Sequence, residues 1–286
     1  MFLTNMTQFV QLNKNVFSSL VTTNIGAPQG SVLSPVLFTL YTNDCQLNEN
    51  FVKLIKFADD TTIQGLIRPD NDEETYRNSI ETFVNWCQDH NLLLNVKKTK
   101  ELIIDFRKSK DPLTPLVIKN EVVEQVHSYK YLGVTIDKDL NWNEHTGIVI
   151  KKLHSRNFFL RKLNSFGIDK TLLKLFYRSC IESIVIFCIA GWGGNARATD
   201  RKKINRVIGK ASSVTKHHLP TIESLHNTLV LKKIKMIAKD CTHPLHSQIN
   251  FNTRSHRPIT LRSRTDRYRL SFMPLALKLL VADTPR

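Results

Sequence analysis

The spacing of hydrophobic residues changes once along the chain, near residue 140. Before it they alternate or cluster in short runs, and after it they recur every three to four residues. Phe9-Val-Gln-Leu12 and Val21-Thr-Thr-Asn24 flank the turn signal Asn13-Lys-Asn15 and predict a hairpin over 8–24. Ser34 as N-cap with Pro35 in the first turn predicts a helix running on through Tyr41. The strand-like run Phe51–Ala58 stops at Asp59-Asp60 and resumes at Thr61-Thr-Ile63, the pattern of a tight hairpin with two carboxylates at its tip. Between Asp72 and His90, Tyr76, Ile80, Phe83, Val84 and Cys87 fall at helical spacing, and Asp72, Glu73 and Glu74 suit the positive end of that helix, which should pack on the sheet. Leu92–Val96, Glu101–Phe106, Leu116–Ile118 and Tyr129–Ile136 read as further short strands.

Beyond Asp137 the spacing predicts helices over about 144–164, 169–189, 200–216 and 221–240, separated by Gly167, Gly191-Trp-Gly-Gly194 and Pro220. Residues 244–275 are rich in Arg, Ser and Pro with little periodicity and predict an irregular basic segment. The expected class is therefore α+β, divided into an antiparallel sheet with packed helices over 1–140, a helical region over 141–243 and a basic tail over 244–286.

Composition narrows the class. The 286 residues suffice for one large domain or two ordinary ones, and 41% hydrophobic with 23% charged residues excludes both a disordered tail and a membrane bundle. The strongest apolar run, Ile184–Ala190, is far shorter than the roughly 20 residues of a spanning helix. The first residues have neither the basic start nor the small-residue cleavage pattern of a secretory signal. Cys45, Cys87, Cys180, Cys188 and Cys241 are odd in number and scattered, as expected for reduced thiols inside a cell, in cytoplasm or nucleus.

Charge adds a partner class. Residues 201–286 hold 18 Lys and Arg against 4 Asp and Glu, whereas residues 1–200 hold 23 against 21. A field of one sign over one region attracts polyanions, of which nucleic acid is the commonest large one. A solubilising basic face fits the same numbers. Arg201, Lys202, Lys203, Arg206 and Lys210 are the candidate phosphate contacts, and they equally fit the exposed face of a helix whose Ile204, Val207, Ile208 and Ala211 point inward.

The candidate chemistry starts at Asp59-Asp60. Adjacent carboxylates closing a buried strand repel one another, and a divalent cation relieves that repulsion; magnesium shares one or two carboxylates with substrate phosphates. Asp is also common in turns for backbone reasons alone. Upstream, Gly26, Pro28, Gln29 and Gly30 precede a helix start, where glycine permits close backbone approach and the helix N-terminus suits anionic groups.

Four segments in order carry a resemblance. Gly26-Ala-Pro-Gln-Gly-Ser-Val-Leu-Ser-Pro-Val-Leu-Phe38, Phe57-Ala-Asp-Asp60, Leu94-Asn-Val-Lys-Lys-Thr-Lys100 and Tyr131-Leu-Gly-Val-Thr-Ile136 resemble the later palm motifs of reverse transcriptases of non-LTR, LINE-type retrotransposons. The resemblance implies an RNA-directed DNA polymerase that uses Mg²⁺, an RNA template and a DNA primer or duplex. It implies that Gly26, Pro28, Gln29 and Gly30 line the nucleotide and template pocket, with Asp59 and Asp60 as catalytic, metal-binding carboxylates. Lys98 would stand near the departing pyrophosphate, and Tyr131, Leu132 and Gly133 would belong to a hairpin gripping the primer end. Residues 1–140 would be a partial palm, and the helices after it the thumb. A solvated loop around Lys97, Lys98 and Lys100, and a core strand at Tyr131–Ile136, fit the same residues.

The resemblance also exposes a departure. In the family, fingers and a second carboxylate-bearing strand precede the Gly26 segment, but residues 1–43 contain no Asp and no Glu. Two-metal phosphoryl transfer needs a clamp roughly 3.5–4 Å wide held from two sides. The expectation is therefore a chain without measurable polymerase activity alone that retains nucleic-acid binding, or, as the alternative, a nonspecific RNA- or DNA-binding module. Residues 144–190 are also similar to an N-terminal module of alkylated-nucleic-acid repair dioxygenase homologues, but the His-x-Asp pair of an iron site occurs nowhere in the sequence. Cys241, His243 and His246 would give zinc only three ligands and fit loop histidines beside Pro244 better.

Overall fold

The computed structural model describes residues 5–24, 26–27, 30–47, 49, 51–68, 72–107, 114–253 and 257–283. Its elements in chain order are β1 (Met6–Gln8), β2 (Gln11–Asn13), β3 (Val16–Phe17), β4 (Val21–Thr23), α1 (Leu33–Tyr41), β5 (Val52–Phe57), β6 (Asp60–Gly65), α2 (Asp72–Asp89), β7 (Lys100–Glu101), β8 (Val117–Ile118), β9 (Glu121–Val122), β10 (Glu124–Gln125), β11 (Ser128–Tyr131) and β12 (Val134–Asp137). Helices follow: α3 (Asn143–Ser165), α4 (Lys170–Tyr177), a π-helical turn (Arg178–Glu182), α5 (Ser183–Ile186), α6 (Ile189–Trp192), α7 (Ala198–Thr215), α8 (Ile222–Lys239), a 3₁₀ turn (His246–Gln248), α9 (Asp266–Arg269) and α10 (Phe272–Asp283). The chain is thus mixed helix and sheet, its sheets small and antiparallel, and it divides into two compact units.

The first unit comprises Met1–Thr99 and Leu113–Glu124. β2 and β3 form a hairpin around Lys14-Asn15, with the Asn13 side chain accepting from the Asn15 N–H at 3.1 Å, and β1 pairs with β4 outside it. α1 begins one residue before Ser34: Ser31 Oγ accepts from the Leu33 N–H at 3.2 Å, so Ser34 sits in the first turn instead of capping it. No residue of this apolar helix is buried.

β5 and β6 form a six-pair antiparallel hairpin. On its inner face Leu54 and Ile63 pack toward α2, whose Ser79, Ile80, Phe83, Val84 and Cys87 repeat at helical spacing and are buried, and Val52 on the same face is buried too. Gly65 lets the Tyr76 ring lie directly on the hairpin, where a Cβ would overlap it. Leu92–Val96 keeps the alternation that suggested a strand, with Leu92 and Leu94 packed inward and Leu93 in solvent, yet it forms no ladder. Period-two burial there comes from packing alone.

The second unit comprises Lys100–Pro112 and Gln125–Arg286. The β11–β12 hairpin leads into α3, and one core joins Val149, Leu153 and Leu160 of α3 to Leu173 and Tyr177 of α4, and to Ile204, Val207, Ile208 and Ala211 of α7. The expected single helix over 169–189 is broken. It widens into the π turn and ends at Phe187, Cys188 is left-handed (φ 51°), and the buried Trp192 indole donates to the Phe187 carbonyl at 2.9 Å, satisfying the interrupted turn. The C-terminal segment departs from the irregular tail expected of it. Met273, Ala276, Leu277 and Leu280 of α10 bury against Val230, Ile234 and Ile237 of α8, because Phe272–Val281 is apolar enough to earn a helix once those arginines upstream are set aside.

Candidate active site and nucleic-acid interface

The two aspartates stand where a hairpin would put them. Phe57 pairs with Asp60, leaving Ala58 and Asp59 as the turn, with Ala58 at φ 51°. Both carboxylates are exposed, and so is the strand leading to them on its outer face: Ile55 and Phe57 lie opposite Thr62 and Asp60 and contact water. The expectation of carboxylates closing a buried strand is therefore corrected. Their mutual repulsion is screened by solvent, so this chain gives them no internal need of a counter-ion. On the inner face, the Lys56 amine donates to the Thr42 carbonyl at the C-terminal end of α1.

Gly26 (φ 89°) and Gly30 (φ 77°) both occupy the left-handed region, the conformation that selects glycine. A Cβ at either would meet open space, so backbone conformation and not close approach accounts for them within this chain. Pro28 and Gln29 lie outside the described residues. Lys98 is exposed on a turn in which the Asn95 side chain accepts from its N–H at 3.1 Å, and among the described residues it makes no ion pair with Asp59 or Asp60. The described residues contain no group of three or more His, Cys, Asp and Glu able to hold a metal ion.

Tyr131, Leu132 and Gly133 form the end of the β11–β12 hairpin, not one continuous strand. Leu132 (φ 44°) and Gly133 (φ 89°) are both left-handed, the turn whose twist matches its strands. Gly133 approaches the Phe187 ring, 3.1 Å from where its Cβ would be. Behind the turn the His145 Nδ1 accepts from the Thr135 N–H at 3.3 Å, which fixes its neutral tautomer, and burial pushes its pKa down.

α7 separates the five basic candidates. Lys202, Lys203, Arg206 and Lys210 are exposed on one broad face, opposite buried Ile204, Val207, Ile208 and Ala211. Arg201 is half-buried on another side. It lines a cleft of about 220 Å³ with Gly193, Gly194, Glu223, His226 and Asn227. Burial, and then the Arg201 charge, push the His226 pKa down. Burial opposes ionisation of Glu223, but the Asn205 amide donating at 2.8 Å and further hydrogen bonds outweigh it and hold the carboxyl below its usual range. Sequence spacing missed this cleft because its residues come from α7, α8 and the Gly193-Gly194 turn; the paired glycines were its one visible signal.

Known proteins are similar to the chain over this region. Residues 2–136 match the family "Reverse transcriptase (RNA-dependent DNA polymerase)". That segment, slightly less than half of the chain, is similar to reverse transcriptases. The chain is 26% identical over 201 residues to the probable RNA-directed DNA polymerase from transposon BS of Drosophila melanogaster, covering 67% of this chain and 22% of that protein. It is 26% identical over 131 residues to the RNA-directed DNA polymerase from mobile element jockey of the same organism, 42% of this chain and 14% of the relative. With the polymerase from transposon X-element it shares 28% over 136 residues, 46% and 15%. The reverse transcriptase resembled is of LINE type, and the chain spans less than a quarter of the length of these relatives. Residues 142–183 match "Alkylated DNA repair protein alkB homolog 8, N-terminal", over α3, α4 and the π turn. No solved structure matches the chain. Among the described residues no helix is long and apolar enough to cross a membrane.

Proposed function

We propose that this chain is the later palm and the thumb of a LINE-type reverse transcriptase, with residues 1–140 as partial palm, 141–243 as thumb and 244–286 as basic extension, and that it binds nucleic acid without copying it unaided. In this reading Asp59 and Asp60 face the reacting phosphates, Gly26–Gly30 the nucleotide and template, Lys98 the leaving pyrophosphate and Tyr131–Gly133 the primer end. Lys202, Lys203, Arg206 and Lys210 contact backbone phosphates. RNA template and DNA primer are the partners.

The observation that supports the reading is the hairpin tip: two exposed carboxylates, Asp59 and Asp60, joined by no third His, Cys, Asp or Glu among the described residues. Two carboxylates on one turn do not make the two-sided grip that a Mg²⁺ pair needs. The family's metal therefore does not fit the donor set described here, and the chain's own residues give binding, not strand synthesis.

Two measurements test this. Primer extension on an RNA template with Mg²⁺ or Mn²⁺ should give no product for the wild type or for Asp59→Ala; extension by the wild type that Asp59→Ala abolishes overturns the inactivity. In a salt series, affinity for an oligonucleotide should fall steeply, and Lys202→Ala, Lys203→Ala and Arg206→Ala together should flatten the slope by about two to three. A flat wild-type series rejects nucleic-acid binding.

A further inference from the structure

The cleft beside Arg201 lies wholly within the second unit and holds two opposite charges that the fold leaves uncombined. Arg201 is half-buried, and its guanidinium makes no ion pair and no hydrogen bond among the described residues. A partly desolvated cation without a partner is costly. Glu223 lines the same space, yet the two side chains form no ion pair with each other. Asn205, one turn along α7 from Arg201, holds the start of α8. Its amide donates to Glu223 Oε2 at 2.8 Å, and its side-chain oxygen accepts from the Ile222 N–H at 3.0 Å. The carboxylate is thereby fixed in place instead of swinging over to the guanidinium.

His226 is 6% exposed, and burial and then the Arg201 charge hold it neutral. Its Nε2 finds no hydrogen-bond partner among the described residues. The cleft therefore presents one cation and one anion, beside an apolar wall of Ile222, Leu270 and Leu275.

That combination selects a class of ligand. An inorganic anion would be repelled by Glu223, and a simple cation by Arg201. An uncharged apolar molecule would strip water from both charges and replace it with nothing. A molecule with an anionic end and a cationic end answers both, and a carboxylate is the anion that a guanidinium fork fits best. Size narrows the choice further. A cavity of about 150 Å³ holds benzene. At about 220 Å³ this cleft has room for about nine non-hydrogen atoms on the same scale. An α-amino acid with a branched aliphatic side chain has that size, those two charges and an apolar remainder.

We propose that this cleft binds a free aliphatic α-amino acid such as leucine, its carboxylate on Arg201, its ammonium on Glu223 and its side chain against Ile222, Leu270 and Leu275. The site does not rest on the polymerase reading, because its residues lie outside the segment similar to reverse transcriptases and off the exposed basic face of α7.

The test is a saturation-transfer NMR titration of the full chain with L-leucine, leucinamide, N-acetyl-leucine and glycine, with the thermal unfolding midpoint as a second readout. Leucine should bind with a dissociation constant of about 1 mM, in keeping with so small a ligand, and raise the midpoint. Leucinamide lacks the carboxylate, N-acetyl-leucine lacks the ammonium and glycine lacks the side chain, so each should bind about tenfold more weakly. Glu223→Gln should weaken leucine about tenfold and leave N-acetyl-leucine no weaker, and Arg201→Met should do the same for leucine and leave leucinamide no weaker. Absence of saturation transfer and of a midpoint shift at about 50 mM leucine overturns the proposal. Equal affinity for leucine and its two capped forms overturns it as well, since the ligand would then be held without the charge pair. Both of these outcomes are read on the wild-type chain, so a variant that fails to fold does not shield the proposal.

Discussion

The Thr146 hydroxyl donates to Asp200 Oδ2 at 3.0 Å, joining the first turn of α3 to the first turn of α7. Thr146 is fully buried, and its single proton has the Trp142 and Asn143 carbonyls within reach as well; the carboxylate is the charged acceptor and takes the stronger bond. Thr146→Val keeps the shape and leaves a largely buried carboxylate without that donor. It should lower stability by about 1–3 kcal/mol in urea unfolding, and Thr146→Ser should recover most of the loss. Equal midpoints for Thr146→Val and the wild type would show that the contact contributes nothing.

Two glycines should respond with opposite sign. A Cβ on Gly194 would run into the Leu270 carbonyl, a backbone atom that cannot swing aside, so Gly194→Ala should cost roughly 1–3 kcal/mol. Gly209 sits inside α7, exposed, with nothing near its missing Cβ. Gly209→Ala should therefore raise stability by about 0.5–1 kcal/mol, chiefly by restricting the unfolded chain. Thermal unfolding of the two variants side by side checks both, and a shared sign would refute the assignment.

Acid should weaken the second unit through its buried histidines. Burial holds the pKa of His145 and of His226 below the ordinary value, with Lys152 adding to the first effect and Arg201 to the second. Above about pH 6.5 both states are neutral there and nothing changes. Below it the unfolded chain takes up protons that the folded chain refuses, so stability falls with falling pH until the depressed folded values are reached. The urea midpoint should drop between pH 7 and pH 5, and His226→Gln should make that drop shallower. A midpoint that rises on acidification would contradict the neutral assignment.

Much of this was readable in the chain, and the failures share a cause. α3, α7 and α8 lie within two residues of the spans their periodicity predicts, because one wide face of each is buried, that of α3 and α7 in a common core and most of that of α8 against α10. Asp59-Asp60 at a hairpin tip followed from two apolar runs interrupted by charge. What escaped depends on contacts distant in sequence. Arg201 left its basic neighbours for the cleft beside Glu223 and His226, the break at Phe187-Cys188 is stabilised by Trp192, and α10 exists because α8 offers it an apolar face. Ser34 lies inside the first turn of α1, whose cap position is Val32 without a side-chain hydrogen bond, a shift that no periodicity can specify.

The exposure of the two aspartates separates a functional role from a structural one. Asp59 occupies a turn and Asp60 opens β6 on the outer face, so neither supports the core that Leu54 and Ile63 build against α2. Asp59→Ala and Asp60→Ala should shift stability by no more than about 0.5 kcal/mol, as surface substitutions do. Leu54→Ala, on the inner face of the same hairpin, should cost at least about 2 kcal/mol. If urea unfolding showed the aspartate variants losing as much as Leu54→Ala, the carboxylates would be anchors of the hairpin. Small losses in the aspartate variants beside a large one in Leu54→Ala would show that the hairpin does not depend on its carboxylates.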